Sequence, residues 1–216
     1  MNRIEGILFD ADGTLIDTYD IILTSMRYAV NDGLGRSLSD RELMAGVGTP
    51  LYDQMLHFTG GDEARAAEIT QMYRDHNDGV HDERIRAFDD TKAALERLRS
   101  AGLPMGVVTS KRHAMAQRGL EMSGIAEYFS FLIGHDDWPE HKPAPGPILH
   151  GCERLGVAPA RCLYVGDSPY DIQAGDAAGC PTVAALWGMF PADELAAQHP
   201  ALQCASLTEL ADRLGA

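Results

Sequence analysis

Ile7-Leu8-Phe9-Asp10-Ala11-Asp12-Gly13-Thr14-Leu15 is the stretch on which the fold turns. Three apolar residues behind Gly6 read as a short buried strand, and two carboxylates two residues apart close it. Gly13 then lets the chain turn sharply. Such a pair can divide labour: one carboxylate attacks an electrophile and binds Mg²⁺, while the other, kept off the metal, donates and accepts a proton. An Asp-x-Asp-Gly turn is the plainer account of the same residues. Half of a calcium loop is not an account, because counting from Asp10 puts Ile21 where the twelfth position needs Glu.

Four more apolar runs bounded by turn residues follow at 105–108, 131–133, 162–165 and 182–186. Helical stretches at 90–101, 112–123, 145–155 and 171–178 lie among them, each stopped by a glycine: Gly102, Gly124, Gly156 and Gly179. Near-continuous apolar strands alternating with such helices predict an α/β fold with a doubly wound parallel sheet covered on both faces. Ser206 and Glu209 read as a capping box opening a last helix. One interval breaks the alternation. More than ninety residues separate Asp10 from Met105, and helices are expected there at 18–30, 39–45 (capping box Ser39/Glu42), 50–58 (Thr49 as N-cap, Pro50 in the first turn) and 62–76. This predicts a helical domain of residues 17–86 inserted into a core built from 1–16 and 87–216.

Composition narrows the function classes. The 216 residues exceed the usual single-domain size of about 100–150, and 45% apolar with 23% charged residues is globular usage. A formal charge of −14 repels nucleic acid and anionic membrane. The longest uncharged stretch, 177–192, holds two prolines and two glycines and falls short of the roughly 20 residues of a membrane helix. The first apolar run is broken by Asp10 and Asp12 before it reaches signal-peptide length, so a cytoplasmic location is expected. The four cysteines lack C-x-x-C spacing and are expected as buried thiols. His57, His76, His81, His135 and His141 have no metal-ligand spacing and are expected at the surface or at helix caps.

Three further motifs carry chemistry. In Thr109-Ser110-Lys111, hydroxyls precede a helix whose free N–H groups can hold an anion, although N-capping alone explains them. In His141-Lys142-Pro143-Ala144-Pro145-Gly146-Pro147, three alternate prolines are expected to keep the chain extended and aim Lys142. The chain has only three lysines, Lys92, Lys111 and Lys142, so Lys142 is read as a positioned charge. In Gly166-Asp167-Ser168-Pro169-Tyr170-Asp171, Asp167 ends a strand and Asp171 opens a helix; a turn and an N-cap account for each separately. A doubly wound sheet places its ligand site beyond the carboxyl ends of the strands. The four loops therefore converge, and three carboxylates with a lysine and a hydroxyl suit Mg²⁺.

In this order and spacing, Asp10-x-Asp12-Gly13-Thr14-Leu15, Thr109, Lys142-Pro143 and Gly166-Asp167-x-x-x-Asp171 resemble the haloacid dehalogenase superfamily of phosphohydrolases over essentially the whole chain. The inserted helices look like that family's mobile cap. Among subgroups the chain is similar to phosphoglycolate phosphatases. The stretch 77–82, Phe88 and Asp136-Asp137 are similar to the bacterial inorganic pyrophosphatase branch. Ala11 departs from the Leu or Met often found there, at a position expected to offer only its backbone N–H.

The resemblance implies a Mg²⁺-dependent phosphatase that hydrolyses a small phosphate monoester, with phosphoglycolate the first expectation among phosphorylated metabolites and inorganic pyrophosphate the alternative. Asp10 would be the nucleophile, forming an aspartyl-phosphate, and Asp12 the proton donor and acceptor. Asp10, the Asp12 backbone carbonyl and Asp167 would hold the metal. Thr109, Ser110 and Lys142 would hold the phosphate, with Asp171 orienting Lys142. Thr49 and Tyr52, in the glycine-flanked turn of the insertion, are the residues expected to reach the site and set specificity. A phospho-acceptor signalling module fits less well, since its acceptor ends an internal strand and it carries no insertion. A dehalogenase would lack Asp12. A phosphomutase stays open, because transfer depends on water access under the cap. Gly46-Val-Gly48 makes no dinucleotide fingerprint, with Leu51 at the third glycine position.

Overall fold

In the computed structural model, which describes residues 3–216, the opening run forms β1 (Gly6–Phe9), every residue of it buried. The main sheet is completed by β4 (Met105–Val108), β5 (Leu132–Ile133), β6 (Cys162–Gly166), β7 (Thr182–Ala185) and β8 (Leu202–Cys204). All its pairings are parallel, in the order β5-β4-β1-β6-β7-β8. β8 was not expected: Leu202-Gln203-Cys204 has no apolar run, because an edge strand leaves part of itself in water.

Alternation along the strands feeds two cores. Ile7, Phe9, Met105, Val107, Leu163 and Val165 face one side, under α5 (Thr91–Ser100), α6 (His113–Met122) and α10 (Leu207–Leu214). Leu8, Val108 and Tyr164 face the other, under α7 (Gly146–Leu155) and α8 (Pro169–Ala177). The four expected glycine stops all have positive φ, between 64° and 79°. Ser206 accepts from the Glu209 N–H as a cap should, but the Glu209 carboxylate turns to the N–H of Ala205 rather than of Ser206. All four cysteines are free and buried.

Between β1 and β4 the chain forms α1 (Tyr19–Met26), a π-helical continuation Arg27–Asp32, α2 (Asp40–Met44), α3 (Leu51–Phe58) and α4 (Glu63–Arg84). Ile22, Met26, Leu43, Met55 and Ile69 form a core of their own, against which Met189 and Phe190, from the loop after β7, also pack. The segment is entered at β2 (Ile16–Asp17) and left at β3 (Arg86–Ala87), which pair antiparallel and carry an Arg86–Asp17 ion pair at 2.8 Å.

Three local expectations are corrected. Thr49 does not cap α3; its hydroxyl donates to the Gly46 carbonyl, and Pro50 stands at the cap position. The 62–76 helix runs on to Arg84, because Asn77 and His81 are buried and packing overrides the polar break of Asn77-Asp78-Gly79. His81 is accordingly not a surface histidine. The proline-rich stretch is a turn rather than extended chain, with the Ala144 N–H donating to the His141 carbonyl and a cis Lys142–Pro143 bond. No helix among the described residues is long and apolar enough to cross a membrane.

α7 lies close on the sheet because it presents Gly151, where a Cβ would come within 2.8 Å of Leu8 Cδ1 and 3.1 Å of Val108 Cγ2. In an exposed helix Gly→Ala stabilises by up to ~1 kcal/mol. Here overpacking, worth about 1–3 kcal/mol, opposes it. Gly151→Ala is therefore expected to lower Tm by several degrees, and a calorimetric scan showing a rise would contradict this packing.

Candidate active site

The register brings the motif residues together. Phe9 pairs with Val107 on one side and Val165 on the other, so Asp10 sits just past the end of β1 while Thr109 and Asp167 follow β4 and β6 one residue further out. Asp10, Thr109 and Asp167 are all buried. Gly13 has φ +79°, and a Cβ there would overlap the Asp167 carboxylate, so the turn after the first aspartate needs glycine on both counts.

Lys142 is the hub of the floor. Its ammonium donates to Asp10 Oδ1 at 2.8 Å and to Asp171 Oδ1 at 2.6 Å, with 2% of the side chain exposed. Burial alone would depress Lys142, but Asp10 and Asp171 outweigh it and hold the ammonium above its usual range. Asp171 is the third residue of α8 and not its cap. Ser168 caps the helix, and the Ser168 N–H and hydroxyl both donate to Asp171 Oδ2. The Tyr164 hydroxyl lies 3.1 Å from both Asp171 Oδ1 and the Val108 carbonyl. With Lys142, Tyr164 and both Ser168 donors around it, Asp171 does not keep a free lone pair on each oxygen.

Asp10 and Asp167 do. Asp10 uses one oxygen for Lys142. Asp167 accepts the Thr14 hydroxyl on Oδ1 at 3.0 Å and the Met189 N–H on Oδ2 at 2.7 Å, leaving each oxygen a further lone pair. Their carboxyl oxygens, with those of Asp171, lie within 4.8 Å of one another. Burial pushes Asp10 up to about 6, with Asp171 and Asp12 adding to it and Lys142 opposing. Burial, then Asp171 and Asp10, raise Asp167 well above the carboxylate range. Two hard oxygen donors crowded in this way fit a small divalent cation.

Asp12 is set apart. Its Oδ1 accepts from Lys111 Nζ at 2.9 Å, away from Lys142. Above these residues a cavity of about 140 Å³ is lined by Asp10, Asp12, Thr109, Ser110 and Lys111, and from the helical segment by Thr49, Tyr52, Tyr73 and Arg74. Thr49 and Tyr52, which the sequence reading expects to reach the site, are among these lining residues. The Ser110 hydroxyl is engaged, donating to the Gly48 carbonyl of the helical segment at 2.6 Å. Lys142 lies beneath Asp10 and does not line this cavity. Residues that sequence reasoning passed over are Lys111, Tyr73, Arg74, Arg112 and His135. Lysine scarcity, the signal used for Lys142, singles out Lys111 equally well.

The pattern of the haloacid dehalogenase-like hydrolase family extends over residues 7–185, from β1 to the end of β7, and the chain belongs to that family. It is 40% identical over 197 residues to a Clostridium perfringens protein provisionally named pyrophosphatase PpaX, covering 91% of each chain. It is 32% identical to pyrophosphatase PpaX of Bacillus velezensis, over 96% of this chain and 95% of that one. Among solved structures it is similar to a predicted phosphoglycolate phosphatase from Haemophilus somnus 129pt, with TM-score 0.88, 25% identity and 99% of both chains covered.

Removing Lys142 strands two buried carboxylates, so Lys142→Met is expected to cost about 3–5 kcal/mol of unfolding free energy at neutral pH. A carboxyl whose pKa is higher folded than unfolded takes up a proton on folding, so lowering the pH through it stabilises. Asp10 is already raised to about 6 with Lys142 present. The deficit of the variant against wild type should therefore narrow as the pH falls from 8 towards 5, measured by urea unfolding in EDTA. A deficit constant with pH would show that Lys142 does not neutralise these carboxylates.

Proposed function

We propose that the protein is a Mg²⁺-dependent phosphohydrolase working through an aspartyl-phosphate on Asp10. The observation that carries this reading is the separation of two adjacent carboxylates by two lysines. Asp10 is locked on buried Lys142 with its second oxygen free, while Asp12 sits two residues on, paired with Lys111 at the cavity wall. A fixed nucleophile beside an independently held acid is what double displacement requires.

Asp10 attacks phosphorus in line as the bond to the leaving oxygen breaks, and Asp12 supplies that oxygen with its proton. Asp12 then takes a proton from the water that hydrolyses the aspartyl-phosphate. Asp10, Asp167 and the Asp12 carbonyl would hold Mg²⁺, which would supply charge neutralisation between two anions. Thr109 and the backbone N–H groups after Asp10 and Thr109 receive the equatorial oxygens, and Lys111 adds charge beside them. Lys142 acts by orienting Asp10. Residues 17–86 serve as the cap, moving about Asp17 and Ala87, and closure excludes water from the intermediate.

A cavity of about 140 Å³ admits compact substrates. Inorganic pyrophosphate is the substrate we favour, supported by the names of relatives at 40% and 32% identity over nearly the whole chain. Phosphoglycolate is the second reading, supported by the motif resemblance and by the description of the Haemophilus somnus structure.

Phosphate release in Mg²⁺ tests both. Asp10→Asn is expected to abolish turnover. Asp12→Asn should slow it by roughly 10²–10⁴ while leaving metal affinity close to wild type. Steady turnover by Asp10→Asn, or loss of Mg²⁺ binding by Asp12→Asn as severe as that of Asp167→Asn, would refute the division of roles.

A further inference from the structure

Four cationic side chains stand at this end of the sheet around the aspartates. Two are committed, Lys142 to Asp10 and Asp171, and Lys111 to Asp12. The other two, Arg74 and Arg112, line the cavity, and among the described residues neither has a carboxylate oxygen within 4.0 Å. Other arginines also lack a carboxylate partner, Arg36 and Arg84 among them, but of these only Arg74 and Arg112 line the cavity.

They come from opposite walls. Arg74 belongs to the face of α4 that also turns Tyr73, Asn77 and Asp78 to the cavity, a spacing of one helical turn. Arg112 immediately precedes α6, directly after the Thr109-Ser110-Lys111 loop. Burial, and then the facing Arg112 guanidinium, hold Arg74 below its usual value, and Asp78 opposes this only in part. Two like charges facing each other across a small cavity repel. They become favourable once an oxyanion lies between them, since each guanidinium offers a planar fork of donors matched to carboxylate or phosphate.

We propose that Arg74 and Arg112 form a second anion subsite, one half on each wall, that takes an anionic group on the leaving-group side of the scissile phosphoryl. This rests on the phosphohydrolase reading and narrows its substrate class to phosphate compounds bearing a second anion, either the distal phosphate of a diphosphate or a carboxylate. Arg74 and Arg112 are then specificity-determining residues, and a substrate with a neutral leaving group does not use them.

The test compares wild type, Arg74→Met and Arg112→Met, which keep the apolar stem, on pyrophosphate, 2-phosphoglycolate and p-nitrophenyl phosphate in Mg²⁺. Losing a hydrogen bond to a charged group predicts a fall of roughly 10–100-fold in kcat/KM on a doubly anionic substrate. The aryl phosphate should change less than about threefold, within what a surface substitution does. A fall on pyrophosphate alone identifies the subsite as a phosphate site, and a fall on phosphoglycolate alone as a carboxylate site. Equal losses on all three substrates, or none on any, overturn the proposal.

Calorimetric titration with methylenediphosphonate in Mg²⁺ separates this from the catalytic reading. If wild type hydrolyses nothing, the proposed function fails, yet binding by wild type that the Arg74→Met/Arg112→Met double variant loses still supports the subsite. Absent binding by wild type, or equal binding by both, overturns it.

Discussion

Everything at this end of the molecule depends on how four aspartates are kept together in a site largely closed to water. Asp10, Asp12, Asp167 and Asp171 stand at the edge of one sheet, and like charges so close in low dielectric repel strongly. The protein answers by partition. One ammonium bridges Asp10 and Asp171, another takes Asp12, and dipoles from Thr14 and the Met189 backbone settle Asp167. The residual repulsion appears in the raised Asp10 and Asp167 carboxyls, both dominated by burial. A divalent cation held by Asp10 and Asp167 would relieve that repulsion.

The sheet makes the partition geometric. Parallel pairing aligns the carboxyl ends of β4, β1 and β6, and the chain just after each delivers the polar groups of the site. Strands of four or five wholly buried residues suffice, because helices on both faces supply the hydrophobic contact that fixes strand position. Tyr164 ties core to site, packing in the sheet while its hydroxyl reaches Asp171.

Much of this was legible in the sequence because it is local. The runs at 6–9 and 105–108 became strands with those bounds, and each glycine after a core helix took the left-handed conformation the pattern requires. The four motifs converge because a doubly wound sheet has one ligand-binding edge. What was illegible is tertiary. Leu202-Gln203-Cys204 is a strand because β7 offers it an edge, and α4 outruns its polar break because Asn77 and His81 find buried neighbours. Arg74 and Arg112 meet at one cavity from α4 and from the residue before α6, a proximity that no residue pattern encodes. Ser110 shows the converse: a hydroxyl read as a phosphate ligand is spent on the Gly48 carbonyl.

The β2–β3 ribbon has a bearing on inheritance. Asp17 and Arg86 are paired neighbours, so the long helical excursion departs and returns through a doorway one strand-pair wide. A segment whose two ends meet at such a doorway can be exchanged for another of different length or shape, provided its ends also meet, without altering the register of β1 against β4 or β6. The parallel sheet and the helical excursion are thereby carried on separately replaceable stretches of gene. A lineage can retain its aspartates unchanged while trying new roofs over them.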